Sequence, residues 1–321
     1  MTARRVAAAL RALGGQLLGI TAVALAVTLI TFVLLRLTPG NSATAIAVRR
    51  AGPGATADQI DRLAEQLGLR DPIIVQYGRW LRHAVTGDLG VSERSGLAVG
   101  HELRTRLPKT LALATGGAVL ALLVGVATGI AGVVARPGLG RGSVRAGALV
   151  AASVPGFWLS YLLILVLTER LGWLPASGDR GLRSLVMPWI VLGLPAAGIV
   201  SRVVAVSLHD ALGQPFATAA RARGASPTSV VVRDALPHAA AATASVVGLQ
   251  VGGMVAGTVI VETVFGWPGL GRFFVSAVSL RDAPSIQAAI LVFAVGFMLV
   301  NRAADALARH IDPRLRLRDD R

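Results

Sequence analysis

Cysteine is absent from this 321-residue chain, lysine occurs once, and only 15% of the residues are charged. Without cysteine there is no disulfide and no thiolate for catalysis or metal binding. A nucleotide-hydrolysing P-loop needs a glycine-rich turn that ends in a lysine. The single lysine, Lys109, instead follows Arg106, Leu107 and Pro108. These residues argue against ATP hydrolysis by this polypeptide.

Metal and nucleotide sites lack support elsewhere in the sequence as well. The glycine-rich run 138–142 contains no lysine and is better explained as a basic loop between helices. Five histidines are dispersed, with no HExxH spacing and no paired carboxylates beside them: His83, His101, His209, His238 and His310. The chain is therefore predicted not to be an enzyme and to bind no cofactor or metal of its own.

Apolar residues, by contrast, make up 54% of the chain, and its mean hydropathy of +0.65 is too high for a soluble globular domain. A helix of about 20 apolar residues crosses the hydrocarbon core with its backbone hydrogen bonds satisfied internally. The fourth stretch of this length contains Pro188 and Pro195, which helix bundles tolerate. The predicted fold is an all-α polytopic membrane protein with six transmembrane helices, near residues 15–37, 109–135, 146–168, 187–208, 238–261 and 284–306.

The net charge of +15 would suggest a nucleic-acid partner if the protein were soluble. In a membrane protein, arginines instead collect in short cytoplasmic segments. With the N-terminus inside, sixteen arginines fall in inner segments and five in short outer loops. Both termini are therefore predicted to be cytoplasmic, with no nucleic-acid partner. The first stretch ends in Leu-Thr-Pro-Gly rather than at a small-residue cleavage site, which favours a span over a signal peptide.

The long polar segment 38–108 is predicted to form a small helical insert on the outer side of the membrane. Apolar residues recur with a helical period from Ala57 to Leu69, where Gly68 and then Asp71-Pro72 close the pattern. A second short helix is predicted from Pro72 to Val85. The insert could serve as a cap packed on the bundle or could contact solute directly.

The cytoplasmic segment 209–237 is predicted to contain a helix, a sharp corner and a second helix. Pro215 suits the first turn of the first helix, and Gly224 suits the left-handed position that ends it. Ser226 can cap the second helix, whose first residue would be Pro227. Adjacent alanines in the first helix would let another surface approach closely. The corner is therefore predicted to be a docking point, with an ordinary loop as the alternative.

Ionisable residues inside spans would indicate ion-coupled transport, because charge in hydrocarbon is expensive and is kept for function. In this chain the polar candidates at mid-membrane depth are uncharged, Gln250 and Gln287. Gln250 lies in GLQVGG, where small neighbours permit either an interhelical hydrogen bond or a place in a solute pathway. The ionisable groups cluster at span ends: Arg36, Glu169, Arg202, Glu262, Arg302 and Asp305.

Four motifs follow one another along the chain: Leu37-Thr-Pro-Gly40, residues 67–92, residues 261–272 and the tail Asp312-Pro313-Arg314. Together they resemble the inner-membrane permeases of peptide, dipeptide and nickel ABC importers, and the resemblance covers nearly the whole chain. Leu37-Thr-Pro-Gly40 is similar to the family's LxPGDP run, with Asn41-Ser42 in place of Asp-Pro. LGLRDPIIVQYGRWLRHAVTGDLGVS, residues 67–92, is similar to the family's outer insert. VETVFGWPGLGR, residues 261–272, and the tail Asp312-Pro313-Arg314 also resemble this subfamily.

The predicted corner resembles the cytoplasmic loop of ABC importer permeases, which reads EAA, three residues, Gly, nine residues and IxLP. The spacing holds, while Thr218 replaces the glutamate and Asp234 the isoleucine. The resemblance implies that residues 215–237 form a coupling helix that docks into a groove on a cytoplasmic ATPase. The residues it implies for coupling are Phe216, Thr218, Ala219, Ala220, Arg221, Gly224, Leu236 and Pro237.

The resemblance also implies partners. These are a second homologous permease subunit, two cytoplasmic ATP-binding-cassette ATPase subunits or domains that use the ATP, and an extracytoplasmic solute-binding protein, assembled in the lipid bilayer. ATP would close the ATPases, the coupling helices would move with them, and the permeases would give the solute alternating access. The imported solute could be a peptide, a nickel complex or a related compound. A peptide is expected because that substrate is frequent in the family.

The predicted organisation is a cytoplasmic N-terminus with the first span (1–37), the insert (38–108), a five-helix core that includes the coupling loop (109–306) and a cytoplasmic tail (307–321). A stand-alone secondary transporter is the main alternative, and it predicts ionisable residues inside the spans. A channel predicts activity without ATPases. A structural scaffold would leave the corner unexplained.

Overall fold

The computed structural model describes residues 2–37, 52, 54, 56–66, 68, 70–135 and 138–311. Within these residues the protein is helical, with one isolated β-bridge between Val91 and Ala98. The predicted all-α class is therefore confirmed. Two motifs quoted above, at residues 38–42 and 312–314, lie outside the described residues.

Twelve α-helices follow one another along the described residues. They are α1 (Thr2–Leu37), α2 (Ala57–Gln66), α3 (Ile73–Val85), α4 (Val99–Val134), α5 (Leu139–Ser153), α6 (Gly156–Leu163), α7 (Val186–Leu212), α8 (Pro215–Ala222), α9 (Pro227–Ser229), α10 (Leu236–Val264), α11 (Leu270–Ser279) and α12 (Ala283–Ile311). A π-helical segment, Ile164–Arg170, continues α6, and another, Val230–Ala235, joins α9 to α10. A short 3₁₀ turn, Leu182–Ser184, precedes α7.

Five helices of the described chain are long and apolar enough to cross a membrane, and a bent pair makes a sixth if it counts as one span. The fourth predicted span is continuous in α7, with Pro195 inside the helix. The five single candidate spans are Leu17–Leu37, Val99–Val134, Leu182–Leu212, Val246–Val264 and Ala283–Ala303.

The third predicted span, 146–168, is not one uninterrupted helix, and that part of the prediction is wrong. Helices α5 and α6 meet at an angle of 100°. Val154 between them is extended, with φ −72° and ψ 123°, and Pro155 follows. Proline offers no N–H to the helical ladder and disfavours the α conformation in the residue before it. The bend therefore falls where Pro155 ends α5, whereas Pro195 is accommodated inside α7.

Contacts divide the chain into two compact units. The insert unit consists of Met1–Arg106 and Phe273–Gly296, and the core unit consists of Leu107–Arg272 and Phe297–Arg321. The insert unit contains α1 to α3, and the core unit contains α5 to α10.

Both helices predicted for the insert are present. A reciprocal capping box begins α2, in which the Thr56 N–H donates to Gln59 Oε1 (3.0 Å) and the Gln59 N–H donates to Thr56 Oγ1 (3.4 Å). Helix α3 begins directly after Pro72. Leu67 and Leu69, at the end of the first predicted helix, lie outside the described residues.

A buried carboxylate holds the end of the insert in place within the insert unit. Asp282 is 2% exposed and precedes α12. It accepts hydrogen bonds from the Ser92 hydroxyl (2.5 Å), the Ser285 hydroxyl (2.7 Å) and the Glu93 N–H (3.2 Å). The segment that follows α3 is thereby tied to the turn between α11 and α12.

Close packing of α4 against α7 depends on glycines spaced four residues apart. A Cβ atom added at Gly125 would lie 2.7 Å from Cβ of Val200, and one added at Gly129 would lie 2.7 Å from Cβ of Val204. Small residues at this spacing let two membrane helices approach closely. Val200 and Val204 share one buried cluster with Leu208, so α7 is held along the length that leads to the corner.

Candidate functional site

The first arm of the corner is α8, and it forms as the sequence predicts. Pro215 occupies the first helical position, where its missing N–H costs nothing. Gly224 has φ +86°, the left-handed conformation that ends the arm. Its N–H donates to the Arg221 carbonyl (2.9 Å), and the next N–H, of Ala225, donates to the Ala220 carbonyl (3.2 Å). The chain therefore reverses within a few residues.

The second arm begins at the predicted cap. Ser226 Oγ accepts a hydrogen bond from the Ser229 N–H (3.3 Å), and Pro227 occupies the first helical position. The arm then continues through the π-helical segment Val230–Ala235 into α10. Proline at 237 lacks the N–H that would close an ordinary turn onto Arg233, and the wider π turn lies directly before it. The corner is thus continuous with a membrane span.

Small buried side chains fasten the two arms to each other. Ala217 (0% exposed) and Ala220 (3%) pack against Val230 (0%), with Phe216 and Ala225 around them. Ala220 therefore points into the corner, where a larger side chain would push the arms apart. Its contribution in this chain is to hold α8 in position.

An aromatic stack fixes the start of α8 to the start of α10. The rings of Phe216 and His238 lie 4.4 Å apart at 12° to each other. Nδ1 of His238 is 2.9 Å from the Asp234 carbonyl oxygen, which orients the imidazole. The sequence did not predict His238 as part of the corner, because Phe216 is distant along the chain and no local sequence pattern indicates that the two rings pair. It is a further residue of the corner.

Arg221 connects the corner to the end of the preceding helix, α7. Its Nη2 donates to the Leu212 carbonyl (3.2 Å), one of the oxygens that the end of α7 leaves without an intrahelical donor. In the structure it bonds to the preceding helix and so ties α8 to α7.

The eight residues implied for coupling fall into an outer and an inner set. Exposed ones form the outward face of the corner: Thr218, Ala219, Arg221, Gly224 and Pro237. The inner set comprises the half-buried Phe216 and Leu236 and the buried Ala220. The corner therefore presents small and basic groups on an apolar base.

A second polar site lies inside the core unit, where the sequence placed Glu262 only at a span end. Its side chain is 0% exposed. It accepts hydrogen bonds from the Thr110 hydroxyl (2.6 Å) and the Arg272 N–H (2.9 Å), and from the Gly271 N–H. The Thr110 hydroxyl in turn accepts from the Leu270 N–H (2.8 Å). The Glu262 carboxyl group and the Thr110 hydroxyl thus accept hydrogen bonds from N–H groups at the start of α11. These N–H groups have no acceptor within their own helix.

Two glycines make this arrangement possible and explain part of the motif at 261–272. A Cβ atom added at Gly269 would collide with the Glu262 carboxyl group. One added at Gly271 would lie 2.5 Å from Cα of Val259. The start of α11 can therefore approach α10 only because these two side chains are missing.

The two glutamines predicted at mid-membrane depth occupy different surroundings. Gln250 is half-buried on α10, and its neighbour Gly252 packs closely, since an added Cβ atom would lie 2.9 Å from Oδ1 of Asn301. Gln287 is 7% exposed near the start of α12. Gly252 thus allows close helix packing near Gln250, whereas no atom lies within 4 Å of a Cβ atom added at Gly253. The role of Gln250 in packing or in a solute pathway stays a prediction.

Two family models together match residues 9–317 of the chain. The model of the family described as binding-protein-dependent transport system inner membrane component matches residues 111–317, which include the corner. A model of the N-terminal membrane component of such systems matches residues 9–114. The chain belongs to this family of inner-membrane transport components.

Individual relatives agree with the family. The chain is 37% identical to the glutathione transport system permease protein GsiC of Salmonella paratyphi A over 304 residues, which cover 94% of this chain and 97% of that one. The identity to GsiC of Escherichia coli K12 is 36% with the same coverage. This chain is therefore a multi-pass inner-membrane permease component of the ABC importer class.

Solved structures share the fold. The inward-facing MetNI methionine ABC transporter matches with a TM-score of 0.56 and 22% identity over 65% of this chain and 95% of that one. An amino acid ABC transporter crystallised with histidines gives a TM-score of 0.53 and 15% identity over 65% and 94% of the two chains. The predicted importer permease fold is thereby confirmed.

Proposed function

We propose that the corner couples this permease to a cytoplasmic ATPase and that the imported solute is a short peptide. The observation that supports the first part is the exposed face of α8, which stands on a packed base. Ala219 and Thr218 are small and exposed, so a partner surface can approach the helix backbone closely. An ATPase groove that receives α8 would touch these residues first.

The contacts beneath α8 would transmit a movement of this helix to the membrane helices. Ala220 and Phe216 hold α8 against the second arm, and that arm continues into α10. Arg221 ties α8 to α7 in addition. A displacement of α8 by an ATPase would therefore move two membrane helices together. Phe216, Ala220 and Leu236 act from beneath the contact surface in this proposal.

The assembly and its orientation rest on the sequence and the family. Sixteen arginines fall in the inner segments if both termini are cytoplasmic, which puts the corner inside and the insert outside. The partners are a second homologous permease, two ATPase subunits or domains that use ATP, and an outer solute-binding protein. The permease itself holds no cofactor in this proposal.

The solute class rests on the relatives, whose names specify glutathione, itself a short peptide. Gln250 and Gln287 are the proposed polar groups for the pathway or for helix packing around it. Uptake by the reconstituted assembly, with glutathione, a dipeptide and a nickel complex compared at equal concentration, tests this part. Uptake of the nickel complex alone would replace the peptide by a metal complex and leave the coupling proposal intact.

Ala219→Trp is expected to release the ATPase from the assembly, because an indole on the exposed face of α8 would prevent close approach. The matched control is Ala57→Trp, since Ala57 is also an exposed helical alanine but lies in the insert. Co-purified ATPase is measured for both variants relative to permease. We expect at least a several-fold loss for Ala219→Trp and none for Ala57→Trp. Equal retention in both variants would contradict docking on this face.

A further inference from the structure

A large cavity lies in the core unit, between the membrane helices and the corner. It has a volume of about 1290 Å³ and is formed by α4, α5, α7 and the corner. Most of its lining is apolar, including Val134, Val144, Leu149 and Val206. Two of these, Leu149 (55% exposed) and Val206 (57%), offer open apolar surface. An apolar occupant such as an acyl chain would cover both.

Basic side chains line the same cavity, and two of them already have structural roles. Arg141 donates to the Ala135 carbonyl (3.0 Å) and the Val133 carbonyl (3.1 Å) at the end of α4. Arg221 caps α7 as described above. Arg145 and Arg202 are exposed and make no hydrogen bond or ion pair among the residues that the structure describes. Two positive charges are therefore available to an anion.

Arg145 and Arg202 lie at similar distances from the crossing of α5 and α7. Helices α5 and α7 cross where a Cβ atom added at Gly198 would meet Ala152; the Ala148 carbonyl lies at the same crossing. Counted from the middle of this crossing, near residue 150, Arg145 lies five residues back along α5, and Arg202 lies four residues forward along α7 from Gly198. With a rise of about 1.5 Å per residue, both arginines lie roughly 6–8 Å from the crossing. In the predicted topology the third and fourth spans cross the membrane in opposite directions, so both displacements point to the same side.

We propose that this cavity binds one anionic phospholipid, with the phosphate between Arg145 and Arg202 and an acyl chain on the apolar lining. Basic pockets between membrane helices on the cytoplasmic side suit anionic headgroups. The inside position of the cavity rests on the proposed orientation. A lipid suits the site better than an ATPase surface, because most of the lining belongs to apolar spans and soluble partners do not cover such surface.

The test uses the purified assembly, delipidated in detergent and titrated with phosphatidylglycerol or phosphatidylcholine of identical acyl chains. Native mass spectrometry counts the bound lipids. We expect one phosphatidylglycerol to bind about 10- to 30-fold more tightly than phosphatidylcholine, since each arginine contributes roughly one factor of five. The preference should fall to about twofold or less in the double variant Arg145→Gln/Arg202→Gln and survive in Arg145→Lys/Arg202→Lys.

The matched control is Arg180→Gln/Arg183→Gln, two exposed arginines in the loop before α7, which should keep the full preference. Subunit composition and melting temperature of each variant show whether the assembly is intact. An unchanged preference in an intact Arg145→Gln/Arg202→Gln assembly would overturn the proposal. Loss of the ATPase from that variant, with phosphatidylglycerol binding unchanged, would assign the two arginines to a protein contact instead.

Discussion

Gly224→Val is expected to reduce solute uptake about tenfold or more while the permease still inserts at normal levels. The left-handed conformation of Gly224, φ +86°, costs an L-residue roughly 1–2 kcal/mol and costs a β-branched residue more. No atom lies within 4 Å of an added Cβ, so the cost is one of backbone conformation rather than collision. The turn should open, and α8 should lose its position on the second arm.

The measurement is uptake by the assembled transporter together with the amount of permease in the membrane. Gly213→Val serves as the matched control, because Gly213 lies at the other end of α8 with φ −79° and an ordinary distance of 3.5 Å from an added Cβ to the nearest atom. That variant should transport normally. Normal uptake in Gly224→Val at normal expression would remove the turn from the coupling mechanism.

Glu262→Ala is expected to lower the yield and the melting temperature of the folded permease more than any other single change considered. The Thr110 hydroxyl and the N–H groups of Gly271 and Arg272 would lose their acceptor inside the core unit. An unsatisfied buried polar group costs about 1–3 kcal/mol. The total is therefore several kcal/mol, comparable with the net stability of many proteins.

Thermal unfolding of detergent-solubilised permease, followed by size-exclusion chromatography, measures this effect. Glu262→Gln keeps the shape and one carbonyl acceptor, so an intermediate melting temperature is expected. Glu169→Ala is the control, because Glu169 is exposed on the π-helical segment after α6. A melting temperature for Glu262→Ala equal to that of the control would show that the start of α11 does not depend on this carboxyl group.

Local chemistry made the corner predictable from the sequence. Pro215, Gly224 and the Ser226-Pro227 pair each constrain the backbone at one residue, and the structure shows each constraint satisfied where it was expected. The capping box at Thr56 belongs to the same class of signal. Such features depend on a few consecutive residues, so the rest of the fold does not alter them.

Features that depend on distant residues were not predictable in the same way. The Glu262 site joins residues 110, 262 and 272, and the stack of Phe216 on His238 joins residues at the two ends of the corner. Two prolines in predicted spans had different effects on the helix. Pro155 bends its span by ending α5, whereas Pro195 is accommodated inside α7, so the presence of a proline alone does not decide whether a span is bent.

The most direct test of the central claim is purification of tagged permease from its native membrane in mild detergent, followed by mass spectrometric identification and quantification of its partners. We predict a second homologous permease and two ATPase subunits or domains for each copy of this chain, with the ATPase depleted in Gly224→Val. Recovery of this chain alone, under conditions that keep another ABC importer assembled, would contradict the account.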